Sequence, residues 1–500
     1  MTTENLYKIG TRGSLLAITQ CTQTKNELEE KSGKGFELIP IVTQGDQITD
    51  KPLWQLDGKD FFTKELDTAL LTDNVDLVVH SYKDLGSERP EGIKLQAITK
   101  RKFAHDILLI EKSKIEKIKE MKTFTVGTSS PRRTQNINQF LKEYLPGAQD
   151  DLELKVENLR GNVNTRIEKL KTEKYDAIIL ALAGIERLAS KDDSRKTLAK
   201  LLDGLTFMVM PQKYFTSAAS QGALAIECNE DASKELQNAL LTIHDEQTAL
   251  EMKREREAFA SYGGGCHLAV GIHVKKVFDY YVHFHNGKHN NELINKIIFE
   301  GFDYAPYKGK SIYFVFKEND FLINKERINT PVRNENVFVT SSLCFHNVNK
   351  NASSIWASGN RTMKKLISRG LWVNGSAEGF GHQEILNFKN SKAIELMLQQ
   401  SSWKVLSHNT ASSVLGEVIP SYDHQMNNDI DKKFEKQMLE SDIIYWSSKI
   451  QYNLYTQKYP ELKNKIHAVG LGKTHTSFKE AKIPFIPCLD MTQLQESIAE

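Results

Sequence analysis

Across its first 220 or so residues the chain alternates short apolar strands with amphipathic helical stretches, and few architectures accept that rhythm. LYKIGTR, a helix through Leu15–Glu30, FELIPIVT, FTKELDTALLT and VDLVVHS follow in order. This is the βαβ pattern of a sheet covered by helices on both faces. The pattern resumes after Arg101 with DILLI, TFTVGTSS, a helix through Arg132–Tyr144, LELKVENLRG, a helix through Val163–Lys174 and YDAIILALAGIERL. Two α/β lobes are therefore expected. The polar segment Lys191–Lys200 reads as an exposed connection, GALAIE re-enters a strand, and a long charged helix is expected over about Ala232–Ala260. A third unit begins near the glycine run of YGGGCHLA, Tyr262–Ala269.

A chain of 500 residues, 40% hydrophobic and 26% charged, has room for two to four domains with well-formed cores. Its net charge of +2 leaves no whole-molecule footprint for nucleic acid, so an anionic ligand must be met by local clusters. No window reaches the roughly 18 apolar residues of a membrane span, and the N-terminal stretch lacks the pattern of a secretory leader. The five cysteines, Cys21, Cys228, Cys266, Cys344 and Cys488, show neither metal-ligand spacing nor a disulfide framework. A reducing, cytoplasmic setting and no metal centre are expected.

Three strand ends carry arginine beside small polar residues. In VGTSSPRR, Val126–Arg133, a strand runs through a Gly-Thr-Ser-Ser turn into proline and two arginines. Proline suits a first helical turn, and free N–H groups with hydroxyls cradle an anion. Arginine at a helix N-terminus opposes the dipole, so Arg132 and Arg133 call for an anion to offset them. LRGNVNTR, Leu159–Arg166, repeats the logic with Arg160 and Arg166, and TRGS, Thr11–Ser14, repeats it at the first strand. The set points to a ligand with several anionic arms. VVHSYKDL closes another buried strand with His80, Ser81, Lys83 and Asp84. An aspartate among cationic groups can stabilise a developing positive charge, whereas His80 reads as a structural hydrogen-bonding residue. GKDFFTKEL, Gly58–Leu66, places Lys59 on a Gly-flanked loop and Phe62 before a helix.

From about Lys308 the composition shifts toward Asn, Ser and Trp, and a weak repeat emerges. NVFVTSSLCFHNV with SIWASGNRTMKKLISRGLWV is echoed by DIIYWSSKIQYNLY with KIHAVGLGKTHTSFKEAKIPF. Each copy reads as strand, Ser-Ser turn, helix, strand, Gly-x-(Lys/Arg)-Thr turn and helix. Hydroxyls and helix N-termini would then gather at carboxyl ends of strands, where open α/β sheets bind ligands; duplicated helix capping alone gives the same letters.

TRGS, TQGD (Thr43–Asp46), GKDFFTKEL, VHSYKDL, VGTSSPRR, LRGNVNTR, YDAIILALAGIERL, SQGALAIE and GGGC, in this order, resemble the porphobilinogen deaminase (hydroxymethylbilane synthase) family over residues 1 to about 300. The resemblance implies two periplasmic-binding-protein-like α/β lobes, residues 1–101 with 199–224 and residues 102–198, and a small α+β third domain, 225–305. It implies a dipyrromethane cofactor attached covalently at Cys266, with Asp84 as the catalytic carboxylate that holds pyrrole N–H groups as ammonia leaves. Lys83, Thr128, Ser129, Ser130, Arg132 and Arg133 match cofactor-binding positions. Arg12, Ser14, Arg160, Arg166 and Arg187 match substrate-binding positions, Gln221 lies near the hinge, and Lys59 and Phe62 belong to the loop. The substrate would be porphobilinogen and the protein a monomer. Gly86, Ser220 and Leu268-Ala269 depart from the family pattern without removing a charged or nucleophilic group.

Residues 306–500 are similar to the uroporphyrinogen III synthase family, which implies a further α/β domain of two lobes acting on hydroxymethylbilane. VIPSYDH, Val418–His424, supplies Tyr422, and Ser447, Ser448 and Thr474 would face that cleft. A bifunctional enzyme is the reading; a deaminase with a non-catalytic tail and a two-lobed polycarboxylate binder are the alternatives.

Overall fold

Ser14 and Ser130 stand where a strand gives way to a helix in each lobe, and both act as N-caps. Ser14 Oγ accepts from the Ala17 N–H at 3.3 Å and opens the helix Leu15–Ser32, which Gly33 ends in the left-handed region. Ser130 Oγ accepts from the Arg133 N–H, with Pro131 at the first turn of Pro131–Phe140. These elements belong to a computed structural model that describes residues 6–43, 63–86, 88–172, 175–265, 268–315, 320–328, 331–345, 352–398, 401–427 and 429–499.

The first sheet has the order β2-β1-β3-β10-β4, built from Tyr7–Arg12 (β1), Phe36–Ile41 (β2), Leu77–Ser81 (β3), Ile93–Ile98 (β4) and Leu224–Asn229 (β10). β1, β2 and β3 run parallel, and β10 runs antiparallel between β3 and β4. The second sheet, β7-β6-β8-β5-β9, joins Asp106–Glu111 (β5), Thr123–Gly127 (β6), Glu153–Glu157 (β7), Ala177–Ala181 (β8) and Leu205–Val209 (β9). Ile107, Leu108, Leu109 and Ile110 are fully buried. Each contributes about 1.5–3 kcal/mol of burial, which holds this unbroken apolar run inside its sheet, between β8 and β9.

The chain passes between the lobes twice, after β4 and after β9. Both passages are tied together: Gln221 Nε2 donates to Ala104 O at 2.6 Å and to Asp106 Oδ1 at 3.0 Å, and Arg101 Nε donates to Gln221 O at 2.9 Å. A Cβ on Gly222 would lie 2.7 Å from Phe103 O, so glycine is required there. Ser220 takes the left-handed region at φ 63, which places the departure from the family's glycine at a position where glycine is unstrained.

Several expected boundaries move. Lys191–Lys200 is no exposed connection: Asp192–Leu202 is a helix, with Ser194, Leu198 and Leu202 buried along one stripe and two aspartates complementing its first turn. β9 pairs with β5, so the second passage starts after Val209 and not at residue 199. β10 completes the first sheet, and Leu236, Ala239 and Leu240 of Lys234–Leu241 pack into that sheet's core rather than a third domain. The expected single helix over Ala232–Ala260 is two, because Asp245 caps a new one, Glu246–Ser261, by accepting from the Thr248 N–H at 2.8 Å.

Beyond that helix a meander follows in the order β11-β12-β13, from Ala269–Val277, Tyr280–His289 and Glu292–Glu300. Glu255, fully buried, ties the helix to its surroundings: it receives Arg101 Nη1 at 2.7 Å, the Ser220 N–H at 2.6 Å and the Val274 N–H at 2.8 Å. Gly263, Gly264 and Gly265 then take φ of 93, 61 and 97, a left-handed run that side-chain-bearing residues resist.

Contacts divide the chain into two compact units, one of Met1–Lys275, His283–Lys296 and Ser391–Met397, the other of Lys276–Val282, Ile297–Asn390 and Leu398–Glu500. In the first, Glu186 caps the start of Lys392–Met397, accepting from Ser391 Oγ at 2.5 Å and the Ala393 N–H at 3.0 Å. The second holds two further α/β sheets. One is β14-β21-β22-β23, all parallel, from Ile312–Val315, Ile443–Trp446, Ile466–Gly470 and Ile486–Cys488. The other is β15-β20-β19-β16-β17-β18, from Ile323–Arg327, Glu417–Met426, Trp403–His408, Asn336–Val339, Ser354–Ala357 and Gly375–Ser376. The chain enters this second sheet through β15 and leaves through β20, and those two strands pair antiparallel. The repeat holds in its strands; after β16 the expected helix is a 3-10 turn, Ser342–Cys344, among the described residues. Among the described residues, no helix is long and apolar enough to cross a membrane.

Candidate active site

The carboxyl ends of β1, β3, β6 and β7 carry the expected polar residues. β3 runs into a single 3-10 turn, Tyr82–Asp84, which presents Lys83 and Asp84 as exposed side chains. Lys83 exposes surface area yet stands where protein surrounds its ammonium: desolvation is the strongest influence and draws its pKa down, opposed by Asp84. Arg133, Asp106 and Arg132 of the second lobe act on it next. The two lobes therefore bring Lys83 and Asp84 into the electrostatic reach of the VGTSSPRR turn.

That turn already holds an anion, and it is the protein's own. Asp106, at the start of β5, accepts from Arg132 Nη1 at 2.9 Å, Arg133 Nε at 3.1 Å and Arg133 Nη2 at 2.8 Å. Arg132 Nη1 also donates to Thr216 O at 2.7 Å, and Arg133 Nη1 to Ile179 O at 3.1 Å. Burial pushes the Asp106 carboxyl upward, but the two guanidiniums and the Gln221 amide outweigh it and hold it well below the usual carboxylate range. The arginines expected to demand a ligand anion are thus offset inside the fold. Sequence reasoning missed Asp106, Arg101 and Glu255; Asp106, an acid opening the apolar run of β5, offered the one signal, while Glu255 sits among charged residues.

The second arginine loop differs. Arg160 and Arg166 are both drawn below the usual guanidinium range by burial, Arg166 to about 10 with Arg133 and Arg160 adding to the effect. Among the described residues, no carboxylate acts on either guanidinium. Arg166 Nε donates to Gly161 O at 2.7 Å, which fixes the guanidinium against its own loop. Thr128 is buried and receives the Ser130 N–H at 3.2 Å, while Ser129 Oγ donates to Leu159 O at 2.6 Å, tying the two loops together. Such a set of cationic and hydroxyl donors fits the carboxylates of a dipyrromethane.

Arg12 is half-buried at the end of β1, beside the capping Ser14. Arg187 is buried, donates to Gly222 O at 2.7 Å, and burial brings it to about 10 against the opposing pull of Glu186. Gln221 lies in the passage between the lobes, as described above. His80 lies 3.3 Å from Glu227, which Arg89 also engages together with Asp67. This buried network answers to the structural role expected for His80, and Arg89 supplies the positive charge that the acids need. Cys266, Lys59 and Phe62 lie outside the described residues.

In the second unit Ser448 caps Lys449–Lys458 and Ser447 hydrogen-bonds Gln451. Thr474 Oγ1 donates to Ser447 O at 3.4 Å, so these three gather at the ends of β21 and β22. Tyr422 is buried on β20 of the other sheet.

Residues 7–237 match the family model described as porphobilinogen deaminase, dipyromethane cofactor binding domain. The porphobilinogen deaminase of Trichlorobacter lovleyi is 39% identical over 267 residues, spanning 53% of this chain and 78% of that protein. That of Nitratiruptor sp. is 34% identical over 328 residues, spanning 65% of this chain and 93% of that protein. That of Bacillus subtilis is 38% identical over 264 residues, spanning 53% and 77%. With the lobes, the loops and these relatives in agreement, the chain belongs to the porphobilinogen deaminase family.

Proposed function

We propose that the first unit is a hydroxymethylbilane synthase, joining porphobilinogen units head to tail with loss of ammonia. What supports this is the electrostatic influence of Arg133, Asp106 and Arg132 on Lys83, which neighbours Asp84 in the turn after β3, and of Arg133 and Arg160 on Arg166. The dipyrromethane supplies the primer on which the chain is extended. Arg160, Arg166 and the hydroxyls of the Thr128–Ser130 turn receive acetate and propionate arms, and Arg132 and Arg133, locked on Asp106, hold that turn rigid. Asp84 sits beside the pyrrole N–H groups and stabilises the positive charge that develops as ammonia leaves. Cys266, following three glycines that turn the chain out of Glu246–Ser261, is the attachment point.

Two measurements test this. The intact mass of the purified protein is expected to exceed the chain mass by one dipyrromethane, and Cys266→Ala to abolish the excess. Asp84→Ala is expected to lower kcat by about 10²–10³ with the mass adduct retained. An unmodified, inactive wild type sinks the proposal.

The second unit is read as a uroporphyrinogen III synthase. Two parallel sheets linked by the paired strands β15 and β20, with Ser447, Ser448 and Thr474 at strand ends, support this reading. Hydroxymethylbilane closes unaided to the wrong isomer, so capture on the same chain raises its effective concentration. Isomer analysis of the porphyrin made from porphobilinogen decides it: type III product is expected, and type I alone leaves a deaminase with a non-catalytic partner domain.

A further inference from the structure

The 3-10 turn Tyr82–Asp84 has an exposed side and a buried one. Lys83 and Asp84 are exposed, whereas Tyr82 lies with Leu85, Ala223, Ala225 and Met252 in one buried apolar cluster. Ala249, Met252 and Arg256 are spaced three and then four residues apart, which sets them on one stripe of the helix Glu246–Ser261. Met252 belongs to the cluster and Ala249 packs against it, so this stripe faces the turn. Arg256 extends the contact to the backbone. Its Nη1 donates to Tyr82 O at 3.4 Å and to Leu85 O at 3.1 Å, and its Nη2 donates to Gly86 O at 2.7 Å. The guanidinium carbon lies 4.7 Å from the Tyr82 ring centroid.

A single 3-10 turn holds itself together weakly. Here the Leu85 N–H bonds Tyr82 O at 3.2 Å and the Tyr82 N–H bonds Ala223 O at 3.1 Å, and the carbonyls that follow need donors from elsewhere. A guanidinium offers its donors in a rigid planar fork, so one side chain spans several carbonyls while its face rests on an aromatic ring; an ammonium does not reproduce that geometry. Glu227 acts on Arg256, but its two oxygens are engaged by Arg89 at 2.8 Å each. Gly86, at the family's proline position, lacks the ring that stiffens a backbone, and the bond from Arg256 to its carbonyl restrains the chain there. The preceding residue, Glu255, fastens the same helix to Arg101, Ser220 and Val274. Two consecutive residues thus join the passage between the lobes and the Asp84 turn to one rigid element.

We propose that Arg256 is a positioning residue for the deaminase reaction, clamping the backbone of Tyr82–Gly86 so that the Asp84 carboxylate is held in place as positive charge develops on the substrate. The role of Asp84 rests on the reading given above; the hold of Arg256 on the turn does not. Arg160 and Arg166 lie on another loop, so loosening this clamp acts on the chemical step and leaves substrate binding in place.

The test is steady-state turnover of porphobilinogen by the full chain carrying its dipyrromethane. Arg256→Gln is expected to lower kcat about 10-fold with KM within about 2-fold of wild type, and its intact mass to keep the dipyrromethane adduct. Introduced into Asp84→Ala, the same substitution is expected to cost less than about 2-fold further, because the carboxylate it positions is gone. Gly86→Pro is expected to restore part of the kcat lost in Arg256→Gln, since Leu85, at φ −87 and ψ 127, already has the extended backbone that precedes proline. Arg256→Lys keeps the cation without the fork and is expected to lose kcat as well; it serves the same comparison where the glutamine variant does not fold. Equal losses in the wild type and in Asp84→Ala, or wild-type kcat in both Arg256 variants, overturn the inference while an impaired Asp84→Ala leaves the reading of Asp84 standing. Asp84→Ala at wild-type kcat overturns that reading, and this inference with it.

Discussion

Two arginine pairs of the second lobe sit at the ends of adjacent strands and live in opposite electrostatic surroundings. Arg132 and Arg133, after β6, share the buried carboxylate of Asp106 through three hydrogen bonds. Among the described residues, no carboxylate acts on Arg160 or Arg166, after β7; burial lowers both, and Arg133 and Arg160 lower Arg166 further. Similar letters in the sequence therefore perform different work. The first pair is part of the framework that fastens the turn, the passage between lobes and Gln221 together. The second pair is the one proposed to receive a ligand's carboxylates.

Asp106→Ala should separate the two roles most sharply. It leaves two buried guanidiniums uncompensated and is expected to cost about 3–5 kcal/mol, read as a lower midpoint in denaturant unfolding. Arg166→Gln should leave that midpoint nearly unchanged while raising KM for porphobilinogen by about 10-fold or more, as a charge-assisted contact is lost. An Arg166→Gln protein as unstable as Asp106→Ala would erase the distinction.

The pH dependence sharpens it further. The folded carboxyl of Asp106 is held below its unfolded value of about 3.9, so its stabilisation is fully present above that pH and fades as pH falls toward the folded value. Asp106→Asn is expected to lose this acid limb, measured by unfolding at a series of pH values from neutral to strongly acid. The smallest effect belongs to Ser220. Its left-handed backbone and an Oγ buried without a partner both count against serine, so Ser220→Gly is expected to stabilise by about 1 kcal/mol. A destabilised glycine variant would mean that the hydroxyl earns its place at the hinge.

The strand and helix order of the first unit was legible because it depends on local periodicity: β1, β3, β5, β6 and β8 fall on the apolar runs, and Ser14 and Ser130 on cap positions. The places where arginine and hydroxyl residues cluster were legible for the same reason. Lobe membership was harder. β9 and β10 are neighbours in the chain but join different sheets, and the decision lies in pairing with β5 and β3, about a hundred residues or more away. Lys191–Lys200 misled because its exposed charges outnumber the three residues that bury its stripe.

By itself the sequence determined the α/β class, the strand ends that carry chemistry and the glycine run before Cys266, since each is written in spacing and residue type over short stretches. Only the tertiary structure decided which charges are spent internally. Asp106, Glu255 and Glu186 meet partners from distant segments, Arg132, Arg101 and Ser391. Whether an arginine is a ligand's anchor or a beam of the frame depends on which carboxylate the fold brings within 3 Å of it, and no local pattern encodes that distance.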